Sequence, residues 1–234
     1  MKINRAAIKQ NAKGVISSTK PSPILVGLVY LAVTYVLQFL SYTVSGQYQA
    51  YMKMMEQMMA GNLDYVPQMP HTNAGGVIIS IAIVLMMMML SVGFTIYCMN
   101  ICQFRNAGFG NLFDGFAIFF KVLWLTLLMG IFVWLWSLLL IVPGIIAAYR
   151  YRMALYIMID NPQLGALDCI RASSSMMNGH KGELFVLDLS FLGWVLLTAF
   201  PFVTIWVTPY TSVTYVNYYL ALRDMPRTNF NVKV

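Results

Sequence analysis

Residues 75–100 read GGVIISIAIVLMMMMLSVGFTIYCMN, and they lie inside a longer run, Tyr65 to Phe104, that holds no Lys, Arg, Asp or Glu. About 20 apolar residues carry a helix across the roughly 30 Å of bilayer hydrocarbon. Gly75 to Asn100 is therefore expected to span a membrane, as a helix, because no water is there to satisfy an open backbone. The same pattern recurs on both sides of it. Ile24 to Val44 makes a first span, Phe116 to Val142 a third, and Ile145 to Ile159 a short fourth that follows a tight outer turn at Pro143-Gly144. A fifth starts near Leu184, and the residues from there to Leu222 leave room for two crossings of about 17 residues, turned at Pro201–Pro209. The expected fold is all-α: a polytopic helical membrane protein with six transmembrane helices plus amphipathic interfacial helices. Residues 21–222 form the membrane domain, between a basic segment 1–20 and a cytoplasmic tail 223–234.

Composition agrees. Of 234 residues, 59% are apolar and 10% charged, against about 25% charged in a soluble domain. A soluble enzyme or a nucleic-acid binder is excluded, since such a chain could not be wrapped in a solvated surface. The net charge of +7 reports topology instead. Twelve of the 15 Lys and Arg precede the first span or fall at inner ends (Arg105, Lys121, Arg171, Lys181, Arg223, Arg227, Lys233), whereas Lys53 alone is clearly outside. Positive charge marks the cytoplasmic side, so both termini are expected inside a multi-pass protein of the cell (plasma) membrane.

Three polar segments punctuate the spans. Lys2, Arg5, Lys9 and Lys13 fall on one helical stripe with Ile3, Ala7 and Val15 opposite; the segment is expected to lie on anionic membrane lipids and to be retained, since no A-x-A cleavage site follows it. Residues 45–74 are extracytoplasmic. Within them 48–60 plots as a helix with Tyr48, Tyr51, Met52, Met54, Met55, Met58 and Met59 on one face, broken after Gly61-Asn62 by Pro67 and Pro70. Residues 160–180 form an inner interfacial helix: Asp160-Asn161-Pro162 has the form of a cap, Leu164, Leu167, Ile170 and Met177 lean one way, and Gly179 ends it.

Few residues carry chemistry. Arg150 and Arg152 sit within a span, where a cation is costly unless paired or hydrated and often marks function. Two positions apart, they point to different partners, and Asp188 is the acidic residue at matching depth. These three are the candidate intramembrane polar site. Tyr48, Met52, Met55 and Met59 are the candidate partner-docking face. Thioethers are also soft ligands for Cu(I), and Met52, Met55, Met58 and Met59 with Met69 and His71 could supply a set. Flexible apolar filler at an interface explains them better, and no metal or cofactor is expected. Cys98 and Cys102, one turn apart, and Cys169 lie on the reducing side. His180 and Glu183 lack a second His, Ser173-Ser174-Ser175 lacks an adjacent base, and no phosphate-binding or nucleophile-elbow motif occurs. No catalysis is expected.

The second half resembles a known family. Leu135-Trp136-Ser137-Leu138-Leu139, Val142-Pro143-Gly144-Ile145-Ile146, Tyr149, Tyr151 and Asp160-Asn161-Pro162 are followed by Met177-Asn178-Gly179-His180-Lys181, Leu189-Ser190-Phe191-Leu192-Gly193-Trp194 and Pro209-Tyr210. In this order they are similar to a bacterial family of uncharacterised integral membrane proteins, a domain of unknown function. That family in turn resembles the membrane region preceding the catalytic barrel of some glycerophosphodiester phosphodiesterases. The resemblance implies fold and location; it implies no activity, since the chain has no room for the barrel.

Two functions are therefore expected. The first is a non-enzymatic accessory or envelope-conditioning component, of the peptide-toxin immunity type for example, that meets a protein partner through the Met-rich helix. The alternative is a small transporter or lipid-handling permease using Arg150 and Arg152 in a membrane cavity.

Overall fold

Asn4 opens the first helix: its Oδ1 accepts from the Ala6 and Ala7 N–H groups at 3.1 and 3.3 Å, the ordinary way to satisfy orphan donors at a helix start. In the computed structural model, which describes residues 3–62, 66 and 74–225, this helix (α1) covers Arg5–Ser18. Lys2, Pro67, Met69, Pro70, His71 and the tail beyond Met225 lie outside the described residues. α1 packs along the last helix of the chain, and its buried residues are Ile8 and Ala12. Ala7, expected on the apolar face, is exposed. The protein surface, not lipid alone, selects the buried side. Lys9 is held there too, its Nζ donating to Ser190 Oγ at 2.7 Å and standing 4.4 Å from the centre of the Phe191 ring. Partial burial, with Arg5 and Lys13 nearby, holds its pKa below the usual lysine value.

α2 (Pro23–Val44) starts with Ser22 capping Ile24 and with proline in the first turn. Gly46, at φ 74°, turns the chain into α3 (Gln47–Met59), which contributes no buried residue. α4 covers Ala74–Cys102; α5 (Asn111–Asp114) and a single 3-10 turn lead into α6 (Phe119–Leu139). Three helices, α2, α4 and the 111–139 stretch containing α6, are long and apolar enough to cross a membrane. Among the described residues there is no strand.

α4 has 29 residues, about 44 Å of helix against roughly 30 Å of hydrocarbon. Its N-terminal half is mostly exposed, while Phe94, Tyr97, Cys98, Met99, Ile101 and Cys102 near its C-terminal end are buried. The surplus length is thus packed in protein. Two glycines permit this: a Cβ on Gly93 would overlap the Leu112 carbonyl, and one on Gly115 would overlap the Met89 carbonyl. The core continues at this end through Met153, Met158, Cys169, Met177, Leu184, Leu187, Tyr218 and Tyr219. Toward the opposite end Trp134, Leu138, Val142, Phe202 and Trp206 remain exposed, as lipid-facing side chains would be.

The second half departs from expectation in its punctuation. The turn expected at Pro143-Gly144 is made instead at Leu140, whose extended backbone (φ −164°, ψ 153°) ends α6 and opens α7 (Ile141–Tyr151). Pro143 and Gly144 lie inside the first turn of α7. Proline is tolerated there because its missing N–H has no helical partner, and Gly144 lets α7 close on Ser137 of α6. α7 breaks at Arg152–Met153 and continues as α8 (Ala154–Asp160). Asp160 is therefore the last residue of a helix and not the cap of the next. α9 is Ala166–Met176, with no side-chain cap at Gly165, and it buries Cys169, Ile170, Ser173 and Met176 while Leu167 is exposed. Gly179, at φ 81°, does reverse the chain. α10 (Lys181–Leu189) and α11 (Leu192–Leu197) follow. Pro201 then begins α12 (Pro201–Arg223), which runs straight through Pro209 against Gly27. The expected turn at Pro201–Pro209 is corrected accordingly: Pro201, in the first turn, starts the helix, and Pro209 lies in its interior, where the helix continues although the ring removes one backbone donor.

α7, α8, α10 and α11 have 11, 7, 9 and 6 residues, each well short of a bilayer at 1.5 Å per residue. α12 has the length, 23 residues, but carries Thr204, Thr208, Thr211, Ser212 and Thr214.

Candidate functional site

The break between α7 and α8 organises the polar residues of the membrane domain. Tyr149 and Arg152 are three apart and share a face; Arg150 faces away. On the first face Asp188 of α10 accepts from the Tyr149 hydroxyl at 2.8 Å and from the Tyr215 hydroxyl of α12 at 2.7 Å. The Arg152 guanidinium lies 5.4 Å from the centre of the Tyr215 ring, a cation–π arrangement. The expected ion pair between an arginine and Asp188 is thus replaced: among the described residues neither Arg150 nor Arg152 reaches Asp188 within ion-pair distance. Two tyrosines satisfy the carboxylate instead, and Arg152 meets one of them from its π face. Tyr215 is two helical turns from Arg223, so this group sits about 12 Å in from the C-terminal end of α12.

The other face leads to α9. Ser173, fully buried, accepts from the Met153 N–H at 3.2 Å and donates to the Arg150 carbonyl at 2.9 Å. Its hydroxyl bridges the two backbone groups that the helix break sets free, which accounts for a serine that has no catalytic base. Arg150 donates through Nε to Ser174 Oγ. Beyond that contact a pocket of about 560 Å³ opens, lined by Arg150, Arg171, Ser174, Ser175, Asn178 and Lys181 among others. Arg150 and Arg152 therefore serve two different places. Arg171 and Lys181 belong with Arg150, and the spacing 171, 174, 175 on one face of α9 was the sequence signal for it.

Asp160, the last residue of α8, ties the C-terminal ends of α4 and α12 to it. It accepts from Gln103, the residue just after α4, at 3.1 Å, from the Tyr219 hydroxyl at 3.1 Å and from Arg223 at 2.9 Å, the last two on α12, and Arg105 stands 4.0 Å away. His180 Nδ1 and Glu183 Oε2 are 2.9 Å apart, and the Tyr218 hydroxyl donates to the His180 carbonyl at 3.1 Å. The first contact is local to the start of α10, and the second ties the loop before α10 to α12.

On α3, Tyr48, Met52, Met55 and Met59 form one exposed stripe, Met59 the most open at 83%. Tyr48 alone has an aromatic partner, Phe39 of α2, edge-on at 5.7 Å. Met69 and His71, the other members of a conceivable copper set, are outside the described residues. Among the described residues no three His, Cys, Asp or Glu converge. Cys98, Cys102 and Cys169 are buried free thiols, and burial pushes the Cys169 thiol up to about 11.

No curated protein and no solved structure matches the chain. Residues 138–225, from the end of α6 to just beyond α12 and including both faces of the α7–α8 break, match the sequence model of a family described as protein of unknown function (DUF975).

Proposed function

We propose that this chain is a non-enzymatic protein of a bacterial cell membrane, crossing it six times with both termini in the cytoplasm. In this reading α7–α8 and α10–α11 each make a crossing as a broken pair, and α12 makes the last. Irregular backbone at membrane depth is tolerated where protein satisfies it, as Ser173 does between Arg150 and Met153. The resemblance to the membrane region of some glycerophosphodiester phosphodiesterases is taken as kinship of that region alone. The protein acts as an accessory or envelope-conditioning component, peptide-toxin immunity being one form of that role, and it docks a protein partner on α3. One observation carries this reading: a 13-residue helix on the outer side buries none of its residues, yet it aligns Tyr48, Met52, Met55 and Met59 in a stripe. Exposed methionines make adaptable contact surfaces.

A photo-crosslinker placed at Gln57 on α3, in native membranes, tests it. A discrete protein adduct that disappears in the Met52, Met55, Met59→Gln variant is expected; adducts to lipid alone would refute docking. Single cysteines at Gly61 and Thr228 test the topology, with label from outside expected at Gly61 only.

A second reading, a small transporter or lipid-handling permease, is favoured by the cationic pocket at Arg150.

A further inference from the structure

We infer that the pocket beside Arg150 binds the phosphoryl group of an anionic ligand. Three separate elements bring a cation to one opening: Arg150 from the last turn of α7, Arg171 from α9 and Lys181 as the first residue of α10. Ser174, Ser175 and Asn178 add neutral hydrogen-bonding groups on the same face. Arg150 spends only its Nε, on Ser174, so among the described residues its two terminal nitrogens have no protein acceptor. α10 starts at Lys181 without a side-chain cap, and the positive end of its dipole adds to the same field.

The negative charges nearby do not cancel this. Asp168 is 3.4 Å from Arg171 and offsets one cation. Glu183 is turned to His180 at 2.9 Å. Two planar guanidinium forks, an ammonium group and several small donors suit a tetrahedral anion with many oxygens better than a flat carboxylate. Tyr151 and Ile170 line the opening beside them, so the ligand meets apolar surface next to its charge. A phospholipid headgroup and a soluble phosphate compound share this chemistry. The proposal rests on the Arg150 side of the second reading, and binding is measured apart from transport, so a protein that binds without transporting upholds the site and removes the permease.

The experiment uses the full chain purified in a neutral detergent. One arm measures phosphatidylglycerol against phosphatidylcholine retained in native mass spectrometry; the other titrates inorganic phosphate and glycerol phosphate calorimetrically. Saturable binding of at least one anionic probe is expected, weakening as salt rises. Arg171→Gln with Lys181→Gln, both on the surface, should weaken it at least about tenfold. Asn178→Asp, which sets a carboxylate in the opening without removing a cation, should do the same. Lys13→Gln, an exposed cation on α1, should leave it unchanged. Retention of phosphatidylglycerol alone identifies a headgroup and binding of phosphate alone a soluble ligand; each upholds the site. No saturable binding of any anionic probe, or equal losses in Lys13→Gln, overturns it.

Discussion

Asp160→Asn separates two roles for one residue. As an N-cap, Asp160 would tolerate the change almost silently, because Asn and Asp cap about equally well. As the tie between α8, α4 and α12, it would not. Its side chain is 8% exposed and accepts from Gln103, Tyr219 and Arg223. A hydrogen bond to a charged acceptor contributes about 1.5–3 kcal/mol. The Arg223 contribution is discounted to below about 1 kcal/mol because that guanidinium is 37% exposed and solvent screens it. Asparagine keeps one oxygen but turns an NH2 toward the remaining donors, so either Gln103 or the buried Tyr219 hydroxyl loses its acceptor. The expected cost is about 2 kcal/mol for Asp160→Asn and about 3–4 kcal/mol for Asp160→Ala. Cys98 and Cys102, 0% and 9% exposed, lie on the same end of α4 and react with a maleimide only when that end opens. A loss of 2 kcal/mol should speed their labelling about 30-fold under native conditions. Labelling of Asp160→Asn at the wild-type rate would refute the tie.

Two further substitutions probe the backbone around the α7–α8 break. Gly144→Val drives a side chain into Ser137 and should separate α7 from α6, costing about 2–3 kcal/mol; Gly130→Ala on α6, where a Cβ meets nothing within 4 Å, should leave thermal unfolding unchanged, and equal effects would show that the α6–α7 contact is not the cause. Ser173→Ala strips the Arg150 carbonyl and the Met153 N–H of their shared partner in a buried place and should cost about 2 kcal/mol, whereas Ser174→Ala should stay within about 0.5 kcal/mol, both read from detergent-solubilised melting curves.

The proposed partner surface and the proposed anion pocket occupy opposite regimes of the chain. α3 follows the C-terminal end of α2 with nothing buried, so its apolar stripe is available. The pocket at Arg150 is assembled from α7, α9 and α10, inside the stretch shared with the family of unknown function.

Membrane character was determined by the sequence alone, because hydrocarbon imposes a local requirement. A helix must be about 20 apolar residues long wherever it crosses, and α2 and α4 came out within a residue or two of where the apolar runs placed them. The exposed stripe of α3 and the reversal at Gly179 were equally local. The tertiary structure alone decided what the broken segments do. Whether a proline turns a chain, starts a helix or sits within one depends on what lies beside it, as at Pro143, Pro201 and Pro209. Whether Asp160 caps a helix or ties three of them together depends on Gln103, Tyr219 and Arg223, residues 57 to 63 positions away. Asp188 found two tyrosine hydroxyls and not an arginine, since packing turns Arg150 to Ser174 and sets Arg152 over the Tyr215 ring. Charge partners are chosen by packing across the chain, and pattern along the chain does not contain that information.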